Sequence, residues 1–221
     1  NIFPNNTEGQ VVDAIVEVKE LNNGATLLDI DVDDQGISAA FQPELNSTNT
    51  GDQSIKFEIS FVEGGTMTTI DISFFGTPFD IDGDSVSTRE YAELSLPDAY
   101  YNSANTLINI EEKETSIRGS VINPTNAPGG DISEDPRFTF SNYWKGARSL
   151  SYTIGKENGN IDRLYALVLD NANYANPEST ILSAPVICGN VSDEGGDPIA
   201  NTTINIQGTD GTNTTTTTDV N

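Results

Sequence analysis

The chain is predicted to be all-β: a jelly-roll or Ig-like two-sheet β-sandwich, followed by a further short run of strands near its end. Three observations predict this. Apolar and polar residues alternate with period two through most of the 221 residues. The alternating runs are short, recur at roughly ten-residue spacing and are separated by Gly-, Asn- and Asp-rich turns. The composition is rich in Asn, Thr, Ser, Asp and Gly, with no His and one Met and one Trp, which favours turns and strands over helices.

In chain order, VVDAIVEVK (11–19), ATLLDIDVD (25–33), ISAAF (37–41), SIKFEISFV (54–62) and TMTTIDISFF (66–75) read as strands, divided by NNG, DDQG, NTGDQ and EGG. Further strands are predicted at YAELSL, TLINIE, TSIRGSVI, RFTFS, RSLSYTIG and LYALVLD. LYALVLD is apolar on both alternating faces, so it is expected at the centre of a sheet and covered on both sides. In SIKFEISF, Ile55, Phe57, Ile59 and Phe61 alternate against Lys56, which places that lysine on the polar face.

Ten basic residues stand against 34 acidic ones, a net charge of −24. Such a chain repels phosphate, which argues against nucleic acid and anionic membrane and makes cations the natural counter-partners. No run of about 18 apolar residues exists, so membrane insertion is not expected. The opening NIFPNNTEGQ has no basic or apolar leader pattern, and TTTTTDVN ends inside a strand pattern, as in a segment of something longer. The one cysteine, Cys188, rules out an internal disulfide framework and reads as a small buried apolar residue.

After the Asn-rich stretch DNANYANPEST (170–180) the sequence changes style, and a boundary is predicted near residue 186, giving domains 1–185 and 186–221. The second stretch, ICGNVSDEGGDPIANTTINIQGTDGTNTTTTTDVN, carries Gly189, Val191, Asp193, Gly196, Pro198, Ile199, the alternating Ile204 and Ile206, Gly208, Thr218 and Asp219 in order. That string resembles the start of carboxypeptidase regulatory-like and Cna-B-type modules. The resemblance implies a small Ig-like or prealbumin-like sandwich of the kind that serves bacterial surface proteins as a stalk or spacer. Some relatives form Lys–Asn isopeptide bonds; residues 186–221 hold no lysine, so that feature does not carry over within this segment. The succession ISFFGTPFDIDGDSVSTREYAEL, then RFTFSNYWKGARSLSYTIG, is similar to β-sandwich domains in large secreted surface proteins of gliding and marine bacteria, and no catalytic residue transfers from it.

The most pointed chemical feature is FDIDGDSVSTREYAEL (79–94). Calcium takes six to eight oxygens at about 2.3–2.6 Å, and carboxylates at alternate positions of a tight loop converge when a glycine lets the backbone fold round the ion. Asp80, Asp82 and Asp84, with Glu90 as a later ligand, form the candidate Ca²⁺ site. It is not an EF-hand, because Gly83 is fourth rather than sixth and Tyr91 stands where the bidentate Glu belongs. The competing reading is a solvated acidic turn. A second acidic run, LLDIDVDDQG, would set Asp29, Asp31 and Asp33 along one strand face about 6.6 Å apart, too regular to grip one ion.

Without histidine, and with one cysteine, Ser–His–Asp, Cys–His and His-ligated zinc chemistry have no residues to use. Among 34 acids any carboxylate pair can be found, so a glycosidase pair carries no weight and the chain is expected not to be an enzyme. Tyr100 and Tyr101, with Tyr143 and Trp144, sit in turn-like contexts where rings stack on sugar faces or cap a sandwich core. The expected function is a non-catalytic module of a large extracellular or cell-surface bacterial protein, an adhesin segment or a calcium-stiffened stalk partnered by neighbouring modules of the same chain. The alternative is a carbohydrate-binding module of a secreted polysaccharide-active enzyme, and surface glycans are candidate partners in both. One exposed, coplanar strip of those four rings would favour the alternative.

Overall fold

A computed structural model describes residues 11–32, 37, 39–46, 50–84, 86–129, 132–182, 192–197, 199–207 and 213–217. The chain divides into two compact units, Asn1–Leu182 and Ser183–Asn221. The boundary expected at 186, and Cys188, lie outside the described residues.

The strands of the first unit are β1 (Val12–Asn22), β2 (Thr26–Asp29), β3 (Ala40–Phe41), β4 (Glu44–Asn46), β5 (Gln53–Glu63), β6 (Ile72–Phe79), β7 (Arg89–Ser95), β8 (Ala99–Ser103), β9 (Ile108–Glu112), β10 (Ser116–Val121), β11 (Phe140–Ala147), β12 (Ser149–Glu157), β13 (Arg163–Leu164), β14 (Ala166–Val168) and β15 (Pro177–Ile181). They form two six-stranded antiparallel sheets, β1-β5-β12-β7-β10-β9 and β15-β8-β11-β6-β14-β3, with a small sheet β13-β4-β2 beside them. This is the all-β sandwich that the alternation predicts.

Its core follows from period two. On β5, Ile55, Phe57, Ile59 and Phe61 are buried while Lys56, Glu58 and Ser60 are half-buried on the other face. Leu150, Tyr152 and Ile154 do the same on β12. Phe61 meets Phe74 of the second sheet edge-on at 4.7 Å, and Phe74 stacks on Trp144 at 5.0 Å. A second apolar cluster, including Phe79, Ala166 and Tyr174, lies on the other face of the second sheet. There the segment after β14 is pinned by hydroxyls: Thr77 Oγ1 and Ser141 Oγ are 2.8 Å apart, Tyr174 Oη is 3.0 Å from Ser141 Oγ, and Ala172 N–H donates to Ser141 Oγ.

Five predicted elements come out differently. The strand expected over 37–41 is reduced to Ala40–Phe41, because Ala40 N–H closes a turn onto Ile37 O. The strand expected over 25–33 stops at Asp29, because its aspartates cap the backbone: Asp29 Oδ1 accepts from Asp31 N–H, and Asp31 Oδ1 from Gln42 N–H. The strand expected from residue 66 begins at Ile72. Before it, Thr68–Ile70 only borrow the vacated end of β5, with Glu63 N–H donating to Thr68 and Ile70 N–H to Phe61, and then cross to the second sheet. RFTFS opens as one 3-10 turn, Pro136–Phe138, because Asp135 accepts the Arg137 N–H ahead of Pro136, and β11 runs on through SNYWKGA. LYALVLD is covered on both sides, Leu167 in the main core and Ala166 in the second cluster, but β14 sits next to the edge strand β3 rather than at the centre.

The second unit contains the hairpin β16 (Thr203–Gln207) and β17 (Asn213–Thr217). In its D-x-x-G turn Asp193 Oδ1 accepts the N–H groups of Gly195 and Asp197, and Gly196 takes φ +87°, where a side chain would be strained. Of the residues behind the module resemblance, Gly189, Val191, Pro198, Gly208, Thr218 and Asp219 lie outside the described residues.

Candidate functional site: an acid cluster closing one end of the sandwich

After β6 the alternation of D-I-D divides the loop. Ile81 is fully buried in the main core and donates its N–H to Phe138 O, so the flanking Asp80 and Asp82 turn the other way. Asp80 holds φ +60°, a left-handed conformation that aspartate tolerates better than most residues. The two carboxyls line a cavity of about 300 Å³ together with Glu44, Glu90, Asp162 and Arg163. Five carboxyl side chains thus share it with one guanidinium.

The cluster is sewn to four stretches of chain. Asp82 Oδ2 accepts Ala127 N–H at 2.7 Å, and Asp82 O accepts Glu90 N–H at 2.8 Å. The Ser133 backbone N–H reaches Asp80. Arg163 arrives on β13, with Nε 2.9 Å from Glu90 Oε1 and Nη1 4.0 Å from Asp82 Oδ1. The Glu90 contact is an ion pair rather than an aligned hydrogen bond, since buried Nε and Nη2 have no partner in hydrogen-bond geometry. Asp80 Oδ1 is buried as well, in a 9% exposed residue, and is also without a hydrogen-bond partner.

Burial dominates the electrostatics. It pushes Asp80 up to about 7, helped by the neighbouring Asp82 and opposed by the Ser133 amide and Arg163. Asp82 is raised by burial against Ala127 N–H and Arg163. Glu90, 2% exposed, is raised well above its ordinary range by burial, with Arg163 pulling the other way. Fully buried Lys156, directly across from Glu90 in the β12–β7 ladder, is lowered by burial and by Arg163, and donates to the carbonyl oxygens of Asn158 and Gly159.

Of the four residues predicted for calcium, the fold brings together Asp80, Asp82 and Glu90 and sets Asp84 apart. Asp84 Oδ1 accepts the N–H groups of Val86, Ser87 and Thr88 at 2.7–2.9 Å, and Oδ2 accepts the Thr88 hydroxyl. Burial, the largest single effect, raises its carboxyl, but these bonds together outweigh it and hold the carboxyl well below the usual range. It is a turn cap. Among the described residues no three Asp, Glu, Cys or His side chains converge tightly enough to cage a metal by themselves.

The aromatic pairs do not form one strip. Both pairs lie in strands, β8 and β11, where successive side chains point to opposite faces, so each pair is split. Trp144 is 5% exposed, stacked on Phe74, and donates its indole N–H to Leu96 O. Tyr100 packs against the main core and donates to Glu112. Tyr101 and Tyr143 sit on the other face against Phe75, tilted by 57° and 46°.

Arg163, Glu44, Asp162 and Lys156 went unread in the sequence. Arg163 offered the one signal, a lone base in a loop-like NGNIDRL of a chain with 10 basic residues. The class defined by fold and site is an all-β sandwich closed at one end by a buried acid–arginine cluster. No known protein family matches the chain, and no curated protein matches it. Among the described residues no helix is long and apolar enough to cross a membrane.

Proposed function

We propose that the chain is a non-catalytic extracellular module of a large secreted or cell-surface bacterial protein, acting in adhesion or as a calcium-stiffened stalk. The observation that carries this reading is the use made of the acid cluster. Asp82 and Asp84 bind backbone N–H groups, Glu90 binds Arg163, and together they join β6, β7, β13 and the stretch around Ala127 at one end of the sandwich. Such cross-ties resist separation of strands, which suits a module strung in series with others. The likeness of residues 186–221 to stalk modules points the same way, as does a charge of −24, which keeps neighbouring copies apart in solution.

The carbohydrate-module alternative asked for an exposed strip of Tyr100, Tyr101, Tyr143 and Trp144, and no observation on those rings favours it. The test is removal of the coding segment from the source cell, followed by attachment to surfaces under flow and by antibody labelling of intact cells. Labelling of unpermeabilised wild-type cells and weaker attachment of the deletion strain are expected. Normal attachment with impaired polysaccharide breakdown would overturn the reading in favour of the carbohydrate module.

A further inference from the structure

We infer that the cavity between Asp80 and Asp82 is a calcium site of two carboxylates, with Glu90 and Asp84 outside the ligand set. The inference deepens the calcium part of the proposed function and rests on that reading for the choice of ion.

The geometry separates the four acids by what already answers their charge. Asp84 has both oxygens engaged by its own loop. Glu90 has the Arg163 guanidinium at 2.9 Å. Asp80 is eased by the nearby Ser133 amide, but its Oδ1 is shielded from solvent with no hydrogen-bond partner. An unanswered buried carboxylate oxygen in a cavity with four further acids calls for a cation. Asp82, anchored through Oδ2 to Ala127 N–H, lines the same cavity and fixes the second ligand in place.

A hard ion fits the donor set, which is all oxygen. Because three acids do not converge, the remaining positions of a six-to-eight-coordinate ion fall to carbonyl and amide oxygens of Asn126, Ala127 and Gly129, which line the cavity, and to water. Few charged ligands and a wet shell make a weak site, with a dissociation constant of about 10⁻⁴ M, in the range of extracellular calcium modules.

The test uses the whole chain. Calorimetric titration with CaCl₂ is expected to give one ion per chain, and 10 mM calcium, about a hundredfold over that constant, is expected to raise Tm by about 5–10 °C over EDTA. Asp80→Asn is expected to abolish both signals, and Asp84→Asn to lower Tm while leaving the calcium shift intact. Should Asp80→Asn not fold, Asp82→Asn serves, since its amide oxygen still accepts the Ala127 N–H. Equal Tm in EDTA and calcium, an equal rise in NaCl of matched ionic strength, or a full shift surviving in Asp80→Asn would each overturn the site. None of these results bears on cell-surface placement, so failure here and failure of the proposed function are told apart.

Discussion

Replacing Arg163 by methionine removes the only guanidinium of the acid cavity while keeping an unbranched chain of similar reach. Glu90, 2% exposed, is then left with no counter-charge on the cavity side. Breaking a buried pair by deleting one partner costs about 3–5 kcal/mol. For a unit of this size each kcal/mol moves Tm by roughly 2–4 °C, so Arg163→Met is expected to melt about 6–20 °C lower. The partner variant separates the pair from its surroundings. In Arg163→Met/Glu90→Gln the ionic pair is gone from both sides, and replacing both ends of a buried pair is often close to neutral. The double variant is therefore expected to recover about half or more of the loss, the rest reflecting Asp82, whose Oδ1 is 4.0 Å from Nη1. The assay is urea unfolding of the four proteins of the cycle, followed by far-ultraviolet circular dichroism. If the two single losses simply add in the double variant, the Glu90–Arg163 pair does not hold this end of the sandwich and the reasoning fails.

On the outer face of the first sheet Tyr91 lies across Gly155, its direct ladder partner, with Arg118 stacked 3.4 Å above the ring and Asp52 accepting its hydroxyl at 2.8 Å. A methyl group at residue 155 would overlap that ring, so Gly155→Ala is expected to cost about 2–4 kcal/mol in urea unfolding, and a loss under about 0.5 kcal/mol would show that the ring moves freely. Glu93, despite partial burial, is held below its ordinary range by Lys113 at 2.6 Å and Ser116 at 2.7 Å. A lowered folded value gives stability that is present above the unfolded value of about 4.5 and lost as pH falls through the folded one. Lys113→Met should therefore flatten the fall of Tm between about pH 5 and 3, and parallel pH profiles for variant and wild type would refute the pair. Trp144, the only tryptophan, should resist acrylamide quenching until the sandwich unfolds, and strong quenching of the native protein would contradict its burial.

What the sequence revealed was whatever depends on near neighbours. The alternation of β5 and β12 could be read directly, because one face of each strand is core and the other is not. Lys56 fell on the polar face for the same reason, half-buried and 4.0 Å from Glu20. β8 and β15 were missed because AYYNS and PESTI alternate weakly, and their place is set by pairing with each other and with β11. The acid loop was half legible. That Ile81 goes to the core and turns its neighbours outward follows from D-I-D, but Arg163 joins from about eighty residues further on, through the pairing of β13 with β4. No local pattern carries that information.

The same contrast supplies a criterion for aspartates in a chain this acidic. Asp84 and Asp193 both precede small or turn-forming residues, V-S-T within Val86–Thr88 and G at Gly195, and both turn one oxygen onto N–H groups two to four positions ahead. Asp29 does likewise with Asp31. Their charge is answered locally, and they need nothing from outside. Asp80 and Asp82 do not do this: Ile81 between them is drawn into the core, and the N–H two positions ahead of Asp80, that of Asp82, faces Glu90 Oε2 at 3.4 Å instead. Chain stiffness at an apolar anchor therefore leaves these carboxylates to find partners at long range. Asp82 finds Ala127, Glu90 finds Arg163, and Asp80 Oδ1 finds none. Of the three evenly spaced aspartates in FDIDGD, Asp80 and Asp82 are thus set apart from Asp84 by one buried isoleucine, and it is this residue that separates the proposed ligands from the turn cap.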